Sequence, residues 1–222
     1  MFRATSDQPF NGPHQQSHRA TGGTPLDDAH AGAILIHGRG ATAENILMLG
    51  HELKADGVHF IAPQAHQFQW YPYSFLAPTE RNEPGLSSAL QAVWDAIQTL
   101  EEGGISPERI LLIGFSQGAC LASEFAARHP RRYGGLIAFS GGLIGDRVQA
   151  ADYSGSLEGT PVFMGCSDRD PHIPAERVHE SAAILKELGA RVSVEIYPGM
   201  PHTIIADELQ HAQKIVDEVI AS

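Results

Sequence analysis

Three side chains in this sequence could together turn a serine hydroxyl into a nucleophile. Ser116 lies in Gly114-Phe115-Ser116-Gln117-Gly118, a G-x-S-x-G. A hydroxyl attacks a carbonyl only when a base takes its proton, and that base needs a third group to orient it. Where serine sits on such a turn, the acid and then the base follow it in the chain. His129, His172, His179, His202 and His211 lie downstream. His129 ends the helix after the serine, and His179 and His211 fall within predicted helices. His172 directly follows the acidic candidates and leaves no acid between itself and Ser116 in a matching loop. His202 closes Tyr197-Pro198-Gly199-Met200-Pro201-His202, a Pro/Gly loop between a predicted strand and a predicted helix, and is the expected base. The acid is Asp168 or Asp170, which share the loop after Pro161–Met164. The residues alone do not separate them.

Acyl transfer through a tetrahedral oxyanion also needs two fixed N–H donors. The amide of Gln117 is one expectation, since it follows the nucleophile. The other is the amide of Arg39 in His37-Gly38-Arg39-Gly40, where glycines free the backbone to point N–H groups inward. The Arg39 guanidinium is then expected to project to the pocket mouth and read an acidic substrate, the alternative being a surface pair with Glu44. His37 is expected to brace its loop. Residues 66–84 lack periodicity but are rich in aromatics, and Trp70, Tyr71 and Phe75 are expected to line the substrate pocket.

The elements that must hold these groups are legible as alternating strands and helices. Ile110, Leu111, Leu112 and Ile113 form an unbroken apolar run, the mark of a strand buried on both faces. After Ser116, Ala119, Leu121, Ala122, Phe125 and Ala126 recur at helical spacing until His129-Pro130. The serine therefore sits on a strand-to-helix elbow, at a helix N-terminus that favours developing negative charge. Further strands are predicted at 33–36, 58–62, 136–139, 161–164 and 192–196. Further helices are predicted at about 44–56, 86–100, 174–188 and 204–220. Strands alternating with helices of this length call for right-handed crossovers, hence a mostly parallel, doubly wound sheet with helices on both faces.

Composition bounds the rest. A chain of 222 residues suits one α/β domain, expected over residues 24–222, preceded by a polar, mobile tail over residues 1–23 in which His14 and His18 are solvated. With 26 acidic and 15 basic residues the net charge is −11, which argues against nucleic acid and anionic membrane surfaces as partners. No apolar run is long enough for stable membrane insertion. The two cysteines, Cys120 and Cys166, fit a reducing compartment, and no secretory leader is visible, so the expected location is the cytoplasm. No H-E-x-x-H or similar paired spacing suggests a metal.

These segments jointly resemble the phospholipase/carboxylesterase family of α/β-hydrolases, which includes acyl-protein thioesterases and small bacterial carboxylesterases. The likeness runs from about Ala31 to the C-terminus. It rests on LIHGRG (35–40), APQA (62–65), GFSQGA (114–119), FSGG (139–142), DPHIP (170–174) and YPGMPH (197–202). Aligned without gaps between Pro161 and Pro174, the family's acid falls on Asp170. The resemblance thus implies a single-domain α/β-hydrolase with a Ser116, Asp170, His202 triad and no cofactor. It further implies a small-molecule ester as substrate, with thioesters or lysophospholipids as the alternative, and leaves a homodimer open. The sequence departs from the thioesterase-like pattern at Ala41, where an aspartate is usual, and at Cys166-Ser167, where His-Gly is usual. It departs again at Trp70-Tyr71-Pro72, where a W-[FY]-D is usual, and so looks closer to the small carboxylesterases.

Overall fold

The computed structural model describes residues 9–221. The expected sheet is present, with β2 (Ala31–Ile36), β3 (Val58–Pro63), β4 (Ile110–Phe115), β5 (Gly135–Phe139), β6 (Pro161–Ser167) and β7 (Arg191–Tyr197) all parallel. One more strand, β1 (Arg19–Gly23), pairs antiparallel to β3 at the edge, giving the order β1-β3-β2-β4-β5-β6-β7. Every residue of β2, β5 and β6 is buried, as the continuous apolar runs require of strands covered on both faces. The edge strand β7 instead alternates exposed and half-buried residues.

Helices α2 (Gly85–Glu102), α3 (Gln117–Arg128) and α4 (Ala175–Glu187) pack on one face. Leu86, Leu90, Val93, Leu121, Phe125, Val178 and Leu185 fill that layer against Ile34, Leu112, Leu136 and Met164. Helices α1 (Ala43–Glu52) and α5 (Ala206–Ile220) cover the other, where Ile46, Leu47, Ile215 and Val216 meet Leu35, Ile113, Ile137 and Phe163. Alternate residues of each strand thus feed opposite layers, as the pleat dictates. Among the described residues no helix is long and apolar enough to cross a membrane.

The expected tail differs from what is found. Residues 1–8 lie outside the described residues, but from Pro9 onward the segment is packed on the domain. Arg19–Gly23 forms β1, and His14 is buried at 4 % exposure rather than solvated. Neither feature left a periodic trace, because an edge strand reading RATGG carries no apolar alternation and draws its hydrogen bonds from β3.

Candidate active site

The C-terminal ends of β2, β3, β4, β6 and β7 converge at one end of the sheet. At the tip of β4, Ser116 has φ 55° and ψ −119°, a conformation that costs a non-glycine residue about 1–3 kcal/mol. The flanking glycines make the elbow possible. A Cβ on Gly114 would lie 2.4 Å from the Gly118 carbonyl group, and one on Gly118 would lie 2.0 Å from the Ile36 carbonyl oxygen. The Ser116 N–H donates to the Phe139 carbonyl at 2.9 Å, which ties the elbow between β4 and α3 to the end of β5.

His202 reaches the serine from the loop after β7. Its Nε2 is 2.9 Å from Ser116 Oγ, and its Nδ1 is 2.6 Å from Asp170 Oδ2. The ring lies between Phe115 and His172, with centroids 4.9 Å and 5.1 Å away. Asp170 has no exposed side-chain surface. Its Oδ1 accepts from the amides of His172 at 2.9 Å and Ile173 at 3.0 Å, leaving Oδ2 to the imidazole. Burial pushes the Asp170 pKa up, but the hydrogen bonds from His202 and the two amides outweigh it and hold the carboxyl below its ordinary value. The thiol of Cys166 packs against the same carboxylate, Sγ lying 3.9 Å from Oδ2.

Asp168 sits one turn away and takes a different job. Its Oδ1 accepts the Gly199 N–H at 2.7 Å, tying the β6 loop to the loop that carries His202. The two aspartates, inseparable by spacing, are thus separated by what each touches. His172 lines the cavity beside His202, but no hydrogen bond joins its ring to Ser116.

The backbone N–H groups of Arg39 and Gln117 have no acceptor among the described residues, and both residues line the cavity with Ser116. Their side chains do something the sequence did not reveal. Gln117 Oε1 accepts the Trp70 N–H at 2.9 Å, and its Nε2 donates to the Tyr71 carbonyl at 2.9 Å. The Arg39 guanidinium donates to the carbonyls of Tyr71, Pro72 and Tyr73 at 2.8, 3.1 and 3.0 Å, and to the Gln69 side chain. It is therefore not free to grip a carboxylate at the pocket mouth. Nor does it pair with Glu44, which binds His18 at 2.8 Å. Three convergent carbonyls attract a planar fork of donors, and that local geometry is invisible in the sequence.

His37 braces this end of the sheet as expected. Its Nε2 accepts the Ala65 N–H at 3.1 Å, so the proton of the neutral ring is on Nδ1, which donates to the Gly38 carbonyl at 2.7 Å. Burial lowers its pKa and favours that neutral form.

A cavity of about 470 Å³ opens over Ser116. Tyr71 and Phe75 line it, together with Tyr73, Phe115, Ile173 and His172. Trp70 does not. It is fully buried behind the wall, its Nε1 donating to the His37 carbonyl at 2.8 Å, and so supports the 37–40 loop instead. No carboxylate lines the cavity, and Ala41 stands in its rim. Among the described residues no group of three or more His, Cys, Asp or Glu could hold a metal ion.

Comparison with known proteins gives one consistent answer. The family described as phospholipase/carboxylesterase matches residues 23–220. An acyl-protein thioesterase 1 of Gibberella zeae is 31% identical over 209 residues, covering 82% of this chain and 88% of that protein. The crystal structure of a phospholipase/carboxylesterase from Dyadobacter fermentans DSM 18053 superposes with a TM-score of 0.88 at 45% identity, covering 90% of this chain and 96% of the other. That of esterase PE8 has a TM-score of 0.71 at 26% identity, covering 90% and 97%.

Proposed function

The chain belongs to the phospholipase/carboxylesterase family of α/β-hydrolases, an enzyme family, and from that membership we propose a carboxylesterase acting through Ser116, His202 and Asp170. The observation that carries this reading is the single imidazole that meets Ser116 Oγ at 2.9 Å and Asp170 Oδ2 at 2.6 Å. In the proposed reaction Ser116 Oγ attacks the ester carbonyl carbon while its proton passes to His202 Nε2. Asp170 keeps the imidazole in the tautomer that can accept there and stabilises the imidazolium that forms. The oxyanion is received by the amides of Arg39 and Gln117, which a helix N-terminus supports electrostatically. Collapse expels the alcohol, which takes the proton from His202. Water then attacks the acyl-enzyme by the same path in reverse, releasing the acid and restoring Ser116.

The cavity favours a compact substrate. Its walls are aromatic and aliphatic, with no carboxylate, and its extent suits a short acyl or aryl group rather than a long chain. Thioester hydrolysis is the second reading, favoured by the acyl-protein thioesterase among the relatives. Ala41 and the Trp70-Tyr71-Pro72 element weigh towards the ester. The proposed setting is the cytoplasm, in keeping with two unpaired cysteines.

A fluorophosphonate probe tests the reading directly. It should label the protein once, at Ser116, and Ser116→Ala should abolish the label. A panel of aryl esters of rising acyl length, beside a thioester and a lysophospholipid, should show preference for short esters. Labelling that persists in the alanine variant removes the mechanism; an optimum at long chains or at the thioester removes the substrate class.

A further inference from the structure

Outside the span shared with the family, residues 9–18 run along the N-terminal half of α2 and pass behind the 66–73 segment. Polar contacts hold them there. Gln91 Oε1 accepts the Phe10 N–H at 3.0 Å, Ser88 Oγ accepts the His14 N–H at 2.9 Å, and Gln15 Nε2 donates to the Ser88 carbonyl at 2.9 Å. Gly12 crosses so close that a Cβ there would lie 2.6 Å from that of Ser88.

This path delivers the His14 ring to the back of the cavity wall. Its Nδ1 lies 2.9 Å from the backbone nitrogen of His66, which can only donate, so Nδ1 must accept. The proton of the neutral ring is then on Nε2, which donates to the Trp70 carbonyl at 2.9 Å. Burial lowers the His14 pKa and so favours the neutral form that both bonds need. The ring also meets the Trp70 indole edge-on, with centroids 5.3 Å apart. One side chain thus closes both ends of the turn from His66 to Trp70. Within that turn Gln67 and Phe68 have φ of 51° and 60°, a left-handed conformation that side chains resist and that persists only when its surroundings enforce it. From the site side, Gln117 and Arg39 hold Trp70, Tyr71, Pro72 and Tyr73.

We propose that His14 is a positioning residue for the substrate pocket: the N-terminal segment braces the strained 66–70 turn from behind and so sets where Tyr71 and Tyr73 stand relative to Ser116. The inference rests on the hydrolase reading above for its kinetic consequence, though not for its structural one. His14 touches no substrate, so its loss should act on binding more than on the chemical step.

The test uses the full chain with His14→Ala and His14→Gln. Glutamine supplies one donor and one acceptor without charge, so it can keep a bond to the Trp70 carbonyl. Kinetics with a short-chain aryl ester should show KM raised about tenfold or more in His14→Ala, which loses both ring hydrogen bonds, with kcat little changed and KM partly restored in His14→Gln. Acrylamide quenching of Trp70, read in a Trp94→Phe background that leaves it the sole tryptophan, should increase in His14→Ala and return in His14→Gln. An unchanged KM with unchanged quenching overturns the proposal, as does a loss of kcat with KM constant. Equal damage in both variants overturns it too, since that marks a general packing role. If the unmodified protein takes no fluorophosphonate at Ser116, the hydrolase reading fails, and quenching still decides whether His14 holds the turn.

Discussion

Arg39 and Gln117 converge on one atom: the carbonyl oxygen of Tyr71 accepts from Arg39 Nη2 at 2.8 Å and from Gln117 Nε2 at 2.9 Å. The two residues that line the cavity beside Ser116 with backbone amides lacking an acceptor among the described residues therefore also hold its aromatic wall with their side chains. The donors proposed for the oxyanion and the aromatic wall of the cavity cannot shift independently.

Arg39→Lys is the sharpest probe of this link. An ammonium on a flexible stem cannot reproduce a planar fork that serves three carbonyls and Gln69 at once. KM should rise by a similar factor for neutral and for carboxylate-bearing esters, and added salt should not shrink the difference. An effect confined to the anionic ester would instead revive a direct role in substrate recognition.

Gln117→Ala tests the other half. It leaves the Trp70 N–H without its acceptor in a buried site, an orphaned donor that costs about 1–3 kcal/mol. Denaturant unfolding should show a loss of that size, and Gln117→Glu should not repair it. A carboxylate keeps the acceptor for Trp70 but faces the Tyr71 carbonyl with no donor.

The two aspartates should respond oppositely. At position 170, Oδ1 is held as an acceptor by two amides, so an asparagine must place its NH₂ where Oδ2 now meets His202. The imidazole then has to accept on Nδ1 and carries its proton on Nε2, facing Ser116, so it cannot act as a base. Asp170→Asn should lower kcat by about 10³–10⁴ while Ser116 stays in place. Asp168→Asn keeps an acceptor for the Gly199 N–H and should change kcat by less than about threefold, whereas Asp168→Ala frees the His202 loop and should cost more. The reverse ranking in steady-state kinetics would reassign the acid.

Glu208 ties stability to pH. It is fully buried under Gly165, with Oε2 accepting the Ile205 N–H at 3.0 Å and Oε1 unpartnered among the described residues. Burial raises its pKa from 4.5 to about 7, with Asp207 adding to the rise and the Ile205 amide opposing it. The folded state thus holds this proton more tightly than the unfolded chain does. Its stabilising contribution is fully present below the unfolded value and is lost as pH climbs through about 7. Glu208→Gln should flatten the fall in Tm between about pH 5 and about pH 8. An identical pH profile in the variant would show that the carboxyl titrates normally.

Where the physics is local, the residues alone were enough. The apolar runs at Ala33–Ile36 and Ile110–Ile113 read as strands covered on both faces and lie within β2 and β4, and the helical spacing after Ser116 falls on α3. Gly114 and Gly118 stand where any side chain would strike backbone, which is why that motif carries structure in its letters. The approach of His202 to Ser116 was likewise foreshadowed by the Pro/Gly loop that carries it between a strand and a helix.

What tertiary structure decided was every matter of partnership across the chain. Asp168 and Asp170 are two residues apart and chemically identical, and only the approach of Gly199 to one and His202 to the other distinguishes them. Trp70, Tyr71 and Phe75 read alike as aromatic wall, yet Trp70 turns inward because its indole N–H finds the His37 carbonyl. Arg39 read as a free cation because three backbone carbonyls from residues 71–73 leave no sequence mark. His14 read as solvated because its neighbours in sequence are polar, whereas its partners, His66 and Trp70, lie more than fifty residues on. Periodicity reports which face of an element is buried; it holds no information on which distant donor will meet which acceptor.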